Sequence, residues 1–298
     1  MTGGAASAMD VRRYGTGLLS TEVRPLDEGG YLWRRKPGPS APGPFPPVPA
    51  PSVKAIAGLP QDGPGRWVLG REQGRAREYR VGGGTSVADR VLREGPGKGL
   101  DDVLRAVGGL LAQLHGLPRR SADDQVAGSA GMFRLAVWWS GRGAKDRAKV
   151  AGELLRTELG DDGWRLLRGW LAEALADSGS AVVSHGAPTL GSVVCAGPGR
   201  PVEFLVGENF CVAPWYADLG WLVGEIVELS WHHGSDHAAW QSALNALFEG
   251  YGRDLGARWN RAAALRIALH LHDYSAYVAL NPNEVRRYAS FLTHLITL

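Results

Sequence analysis

The 298 residues suffice for one large domain or two smaller ones, and 44% apolar against 21% charged is an ordinary globular balance. A net charge of +3, with acids and bases interleaved, excludes the clustered basic face that nucleic-acid binding needs. Met1 to Arg13 shows no apolar signal segment, there is no membrane-length apolar run, and Cys195 and Cys211 are too few for a disulfide framework, so a cytoplasmic, reduced protein is expected.

Residues 1–10 are expected to be disordered, and residues 11–36 read as short strands. Arg12 to Leu19 and Glu22 to Leu26 lead through the turn Asp27-Glu28-Gly29-Gly30 into Tyr31-Leu32-Trp33. Eight prolines between Pro37 and Pro51 exclude a helix there and predict a polyproline-like crossing. Val53–Ala57 and Trp67-Val68-Leu69 follow as strand candidates.

From about Leu100 the apolar period becomes helical, with Leu104, Val107, Leu110, Leu111 and Leu114 on one face. Ala151–Leu159 and Trp164–Ala176 repeat it. Strands are then predicted at Ala181–Ser184, Val193–Cys195 and Val202–Val206. Leu219–Leu229, Ala238–Leu255, Asn260–Tyr277 and Glu284–Thr297 are helical again. A small β-rich lobe followed by a mainly helical one is the expected architecture.

Several short segments, in order, resemble the aminoglycoside phosphotransferase and choline kinase-like superfamily. Tyr31-Leu32-Trp33-Arg34-Arg35-Lys36-Pro37-Gly38 resembles its third strand, and Val48-Pro49-Ala50-Pro51 the approach to the next. Arg66 to Arg75 is similar to its hinge segment, and Gly109 to Pro118 to its L-A-x-L-H-x-L-P helix. Val183-Ser184-His185-Gly186-Ala187 with Ser192 resembles the catalytic loop V-x-H-G-D-x-x-x-x-N, and Ala213 to Leu222 the D-L-G-W-L segment beyond it. The resemblance implies an α+β, bilobal protein-kinase-like fold: a β-rich N-lobe over 11–75 with its hinge near 70–75, and a helical C-lobe over 76–298. It implies nucleotide contacts at Arg34, Gly70, Arg71 and Glu72.

The chemistry of that family is nearly gone. The proton-accepting Asp is Ala187, the metal-binding Asn is Ser192, and the metal-binding Asp falls at Val206. The helix that carries an ion-pairing Glu falls where this chain has prolines, so that helix is expected to be absent. Loss of a general base alone costs about 10²–10⁴-fold. The expectation is a pseudokinase that binds a peptide or partner protein, with no cofactor and no metal site. The lysine-poor, Gly- and Trp-rich composition points to an actinobacterium-like genome, where relatives serve peptide natural-product biosynthesis. The alternative is an active phosphotransferase using ATP and magnesium, in which His185, Glu208 and Asp218 carry the chemistry. The plainer readings are that His185 braces its loop and Asp218 braces the loop–helix junction.

Three other features are read as structural. His232-His233-Gly234-Ser235-Asp236-His237 is an inter-helix loop, and Gly15-Thr16-Gly17 and Gly82-Gly83-Gly84 are turns. Of the adjacent Trp138 and Trp139, one is expected to point outward, where it would suit a partner. The proline tract could itself be a docking strip.

Overall fold

Turn residues cut the first third of the chain into short antiparallel strands. The computed structural model describes residues 11–97, 99–119, 128–141, 146–197, 199–234 and 236–298; the expected disorder of 1–10 lies outside these. β1 (Arg12–Gly15), β2 (Leu19–Pro25), β3 (Tyr31–Pro37), β5 (Arg71–Gln73) and β6 (Ala76–Val81) form one antiparallel sheet in the order β1-β2-β3-β6-β5. The sheet thus continues to Val81. Residues 70–75, expected as the hinge, are its β5–β6 edge hairpin, and the chain leaves the sheet at Gly82-Gly83-Gly84.

Val53–Ala57 is not a strand. It lies in α1 (Ala50–Ala57), which starts inside the proline tract because Pro51 sits in the first turn, where its missing amide hydrogen is not needed. So the link from β3 to β4 (Gly65–Leu69) holds a two-turn helix, and that helix carries no acidic residue to pair with a β3 cation. β4 pairs in parallel with β9 (Val202–Val206), which also pairs with β8 (Val193–Cys195).

The rest is mainly helical: α2 (Val87–Glu94), α3 (Leu100–His115), α4 (Ala130–Trp139), α5 (Asp146–Ala176), α6 (Trp215–His233), α7 (His237–Tyr251), α8 (Trp259–Tyr277) and α9 (Pro282–Thr297). The break foreseen between Leu159 and Trp164 is Gly160, whose φ of 69° interrupts α5. β7 (Ala181–Ser184) pairs with β10 (Cys211–Pro214), a partner the pattern did not reveal. The α6–α7 junction is the expected loop: Gly234 ends α6 and Asp236 caps α7.

One core gathers α3, α6 and α7 around β4 and β9, and a second lies among α4, α5, α8 and α9. Trp138 and Trp139 are both inside the second, so neither serves as an exposed aromatic anchor. A third, small core joins the lobes: Val23, Trp33, Tyr79 and Val81 of the sheet pack on Val194 and Leu205 of β8 and β9. Among the described residues no helix is long and apolar enough to cross a membrane.

Candidate functional site: the cleft between the lobes

Pleating decides which β3 side chains reach the cleft. Successive residues face opposite sides, so Trp33, Arg35 and Pro37 turn inward and are buried while Arg34 and Lys36 turn out. Arg34, expected to contact nucleotide, instead pairs with Glu78 on the exposed face at 3.5 Å. Arg35 is the inward cation, and the sequence reading did not single it out.

Arg35 binds both stretches that the motif resemblance marks as metal-holding. Its Nη1 lies 3.1 Å from Glu208 Oε2 and donates to Ser192 Oγ at 3.0 Å, while Nη2 donates to the Gly191 carbonyl at 2.7 Å. Tyr79 donates its hydroxyl to Glu208 Oε1 at 2.7 Å. Burial and the neighbouring Glu208 charge push the Tyr79 phenol well up, so it stays a donor. Val206 closes β9 with its side chain in the core and offers no ligand. The residues at the fold's usual magnesium position therefore do not fit the ion: a guanidinium stands against Ser192 and Glu208. Among the described residues, no group of three or more His, Cys, Asp or Glu is arranged to hold a metal ion.

The crossing between the lobes is bonded from within. The Gly82 amide donates to Glu203 Oε2 at 2.7 Å, the Gly83 carbonyl accepts the Trp33 indole N–H at 2.9 Å, and Arg12 takes the Gly84 carbonyl. Glycine is required because the strand threads a narrow gap; a Cβ on Gly83 would lie 2.5 Å from the Cys195 carbonyl oxygen. Gly70, Arg71 and Glu72 lie elsewhere, on the edge hairpin. Arg71 and Glu72 are exposed, and Gly70 packs under the Tyr79 ring and donates its amide to the Val206 carbonyl at 3.1 Å.

Each of the three candidate catalytic groups is held in bonds of its own. His185 is buried, bonds the Leu205 carbonyl through Nε2 at 2.8 Å and stacks on Phe204. Burial keeps its imidazole below the usual range, so it is neutral at pH 7. Asp218 accepts the backbone amides of His185 at 2.7 Å and Gly186 at 2.9 Å, and faces His115 Nε2 at 3.1 Å. Burial opposes its ionisation, but His115 and the loop amides outweigh burial and hold the carboxyl below its usual value. Gly186 must be glycine: its φ is 88°, and a Cβ would fall 1.8 Å from the Asn209 carbonyl oxygen. Glu225 holds the other end of the loop by accepting the Leu190 amide at 2.8 Å.

The proline tract is a wall of the cleft. Gly38 and Ser40 donate to the carbonyls of Leu18 and Gly17, and Pro46 accepts from Arg77 at 2.5 Å. The Gly15-Thr16-Gly17 turn reaches the helical lobe, where the Gly17 amide donates to Tyr277 O at 2.9 Å. Beneath these lies a cavity of about 540 Å³, bordered by Trp33, Arg35, Ala187, Ser192, Glu208 and the segment Ala41–Pro46.

No family model matches the chain, and no curated protein matches it in sequence. Solved structures do match. A choline/ethanolamine kinase family protein from Mesorhizobium loti superposes with a TM-score of 0.56 at 15% identity, over 99% of this chain and 90% of that one. The Plasmodium vivax ethanolamine kinase gives 0.53 at 10% identity, over 99% and 82%. The aminoglycoside phosphotransferase APH(3'')-Id from Streptomyces rimosus gives 0.50 at 16% identity, over 87% and 92%. Identities this low speak for fold alone. The chain has the bilobal, kinase-like α+β fold that these solved structures share.

Proposed function

We propose that this protein is a pseudokinase: a binding module on a phosphotransferase fold whose own side chains stand where nucleotide and metal would act. The observation that carries this reading is the paired use of Trp33 and Arg35. Trp33 gives its indole N–H to the Gly83 carbonyl, where a nucleotide base would seek the crossing strand. Arg35 supplies, to Ser192 and Glu208, the positive charge that magnesium supplies in phosphoryl transfer. Ala187 stands where the loop of that family has its proton-accepting Asp.

A phosphotransferase working through His185, Glu208 and Asp218 has no comparable support, since each group is committed to a structural bond. The role fits a ligand-binding partner of a separate enzyme. Composition and motif resemblance support a setting in actinobacterial peptide natural-product biosynthesis.

Thermal unfolding with millimolar ATP, with and without magnesium, tests the reading. A ligand at a hundred times its Kd stabilises the folded state by about 2.7 kcal/mol, which a melting curve resolves. No shift is expected; a magnesium-dependent rise in Tm would overturn the pseudokinase reading.

A further inference from the structure

The cleft carries charge on five wall residues, Arg35, Asp89, Arg134, Glu208 and Asp273, and each is neutralised by the protein itself. Arg35 meets Glu208 at 3.1 Å, Arg134 meets Asp273 at 2.7 Å, and Asp89 meets Arg93 at 2.9 Å. A charged ligand would have to break one of these pairs or enter without a counter-charge, and both are unfavourable. Between the pairs the wall is mainly apolar, with Leu18, Leu19, Trp33, Phe45, Leu92 and Trp221, and its uncharged polar groups are the hydroxyls of Tyr14, Thr21, Ser86, Thr189 and Ser192 and the amide of Asn209. The volume of about 540 Å³ lies inside the range of roughly 300–1,000 Å³ typical of small-molecule sites.

We infer that the cleft binds an uncharged, largely apolar organic molecule of small-molecule size, held by these side chains and oriented by one or two hydroxyl hydrogen bonds. This rests on the reading of the cleft as a binding site that does not take nucleotide. The apolar wall supplies affinity through area removed from water, and the internally paired charges select against polycations and phosphates.

The test uses the neutral fluorescent probe N-phenylnaphthylamine, titrated into the full chain. Saturable binding is expected, weakened roughly tenfold or more by Leu92→Lys, which sets a charge at the cavity rim. Leu92 is more than half exposed on α2, so the substitution leaves folding intact. Leu175→Lys, in a separate hollow of about 240 Å³ beside Met132 and Tyr216, and Leu166→Lys, on the outer face of α5, are expected to leave probe affinity unchanged. Absence of saturable binding would overturn the inference, as would binding lost in Leu175→Lys but kept in Leu92→Lys. Saturable calorimetric binding of the polycation kanamycin, abolished by Leu92→Lys, would also overturn it. The ATP melting curves stand apart: a nucleotide shift refutes the pseudokinase reading, whereas probe failure without a nucleotide shift refutes this inference alone.

Discussion

Arg35 of β3 and Glu208 beyond β9 form a buried ion pair at 3.1 Å that joins the two lobes across the cleft. In a phosphotransferase of this fold that gap holds nucleotide phosphates and metal. Here Tyr79, Ser192 and the Gly191 carbonyl bond the pair from the protein side, and Arg35 Nε is buried without a partner.

Removing one member of the pair strands the other charge in a dry site. Arg35→Met or Glu208→Gln alone is expected to destabilise the protein by roughly 3–5 kcal/mol. The double variant is expected to recover much of that loss. Urea denaturation of all three proteins reads the coupling; additive losses would mean the two side chains act independently.

Asp218 holds the loop that begins at His185 by its two backbone amides. Asp218→Ala leaves both amides without that acceptor, at a cost of about 1–3 kcal/mol for each unpaired group. Hydrogen exchange at His185 and Gly186 is expected to accelerate while α9 keeps its protection. Unchanged exchange at those two amides would show that Asp218 is not the brace.

The cluster around Glu228, which does not line the cleft, sets a pH dependence. Burial opposes ionisation of Glu228, but Arg266, then His270 and Tyr288, draw its pKa down from 4.5 to about 2. A depressed carboxylate pKa contributes stability above the unfolded value, lost as pH falls through the folded one. The drop corresponds to about 3 kcal/mol at roughly 1.4 kcal/mol per unit. Glu228→Gln is therefore expected to be less stable than the parent at pH 7, with the gap narrowing as pH falls from 4.5 toward 2. Comparing the two proteins isolates this group from Glu225, whose pKa burial raises and whose contribution has the opposite sign. A gap independent of pH would contradict the assignment.

Much of the fold was readable because its signals are local. The 3.6-residue period marked α3 through Leu104, Val107 and Leu111, and the turn Asp27-Glu28-Gly29-Gly30 marked the β2–β3 hairpin. What escaped depended on tertiary pairing. Val53–Ala57 carries an ambiguous apolar pattern, and only packing of Ile56 into the core resolves it as helix. The crossing was misplaced because Arg66 to Arg75 mimics a hinge by motif, whereas β3 pairs with β6 and carries the sheet on to Val81. The departures from the family motif at Ala187, Ser192 and Val206 were visible in the sequence. The place of Arg35 was not: Arg34 and Arg35 are chemically equal neighbours, and only the pleat sends Arg35 inward. The alternation Trp33, Arg35, Pro37 against Arg34, Lys36 was the signal that could have found it.

The central claim is that Trp33 and Arg35 occupy the nucleotide's place, and calorimetric titration of the unmodified protein with ATP in excess magnesium tests it most directly. No binding heat is expected up to millimolar ATP. A saturable, magnesium-dependent isotherm would mean that Arg35 yields to the metal, and would contradict the account.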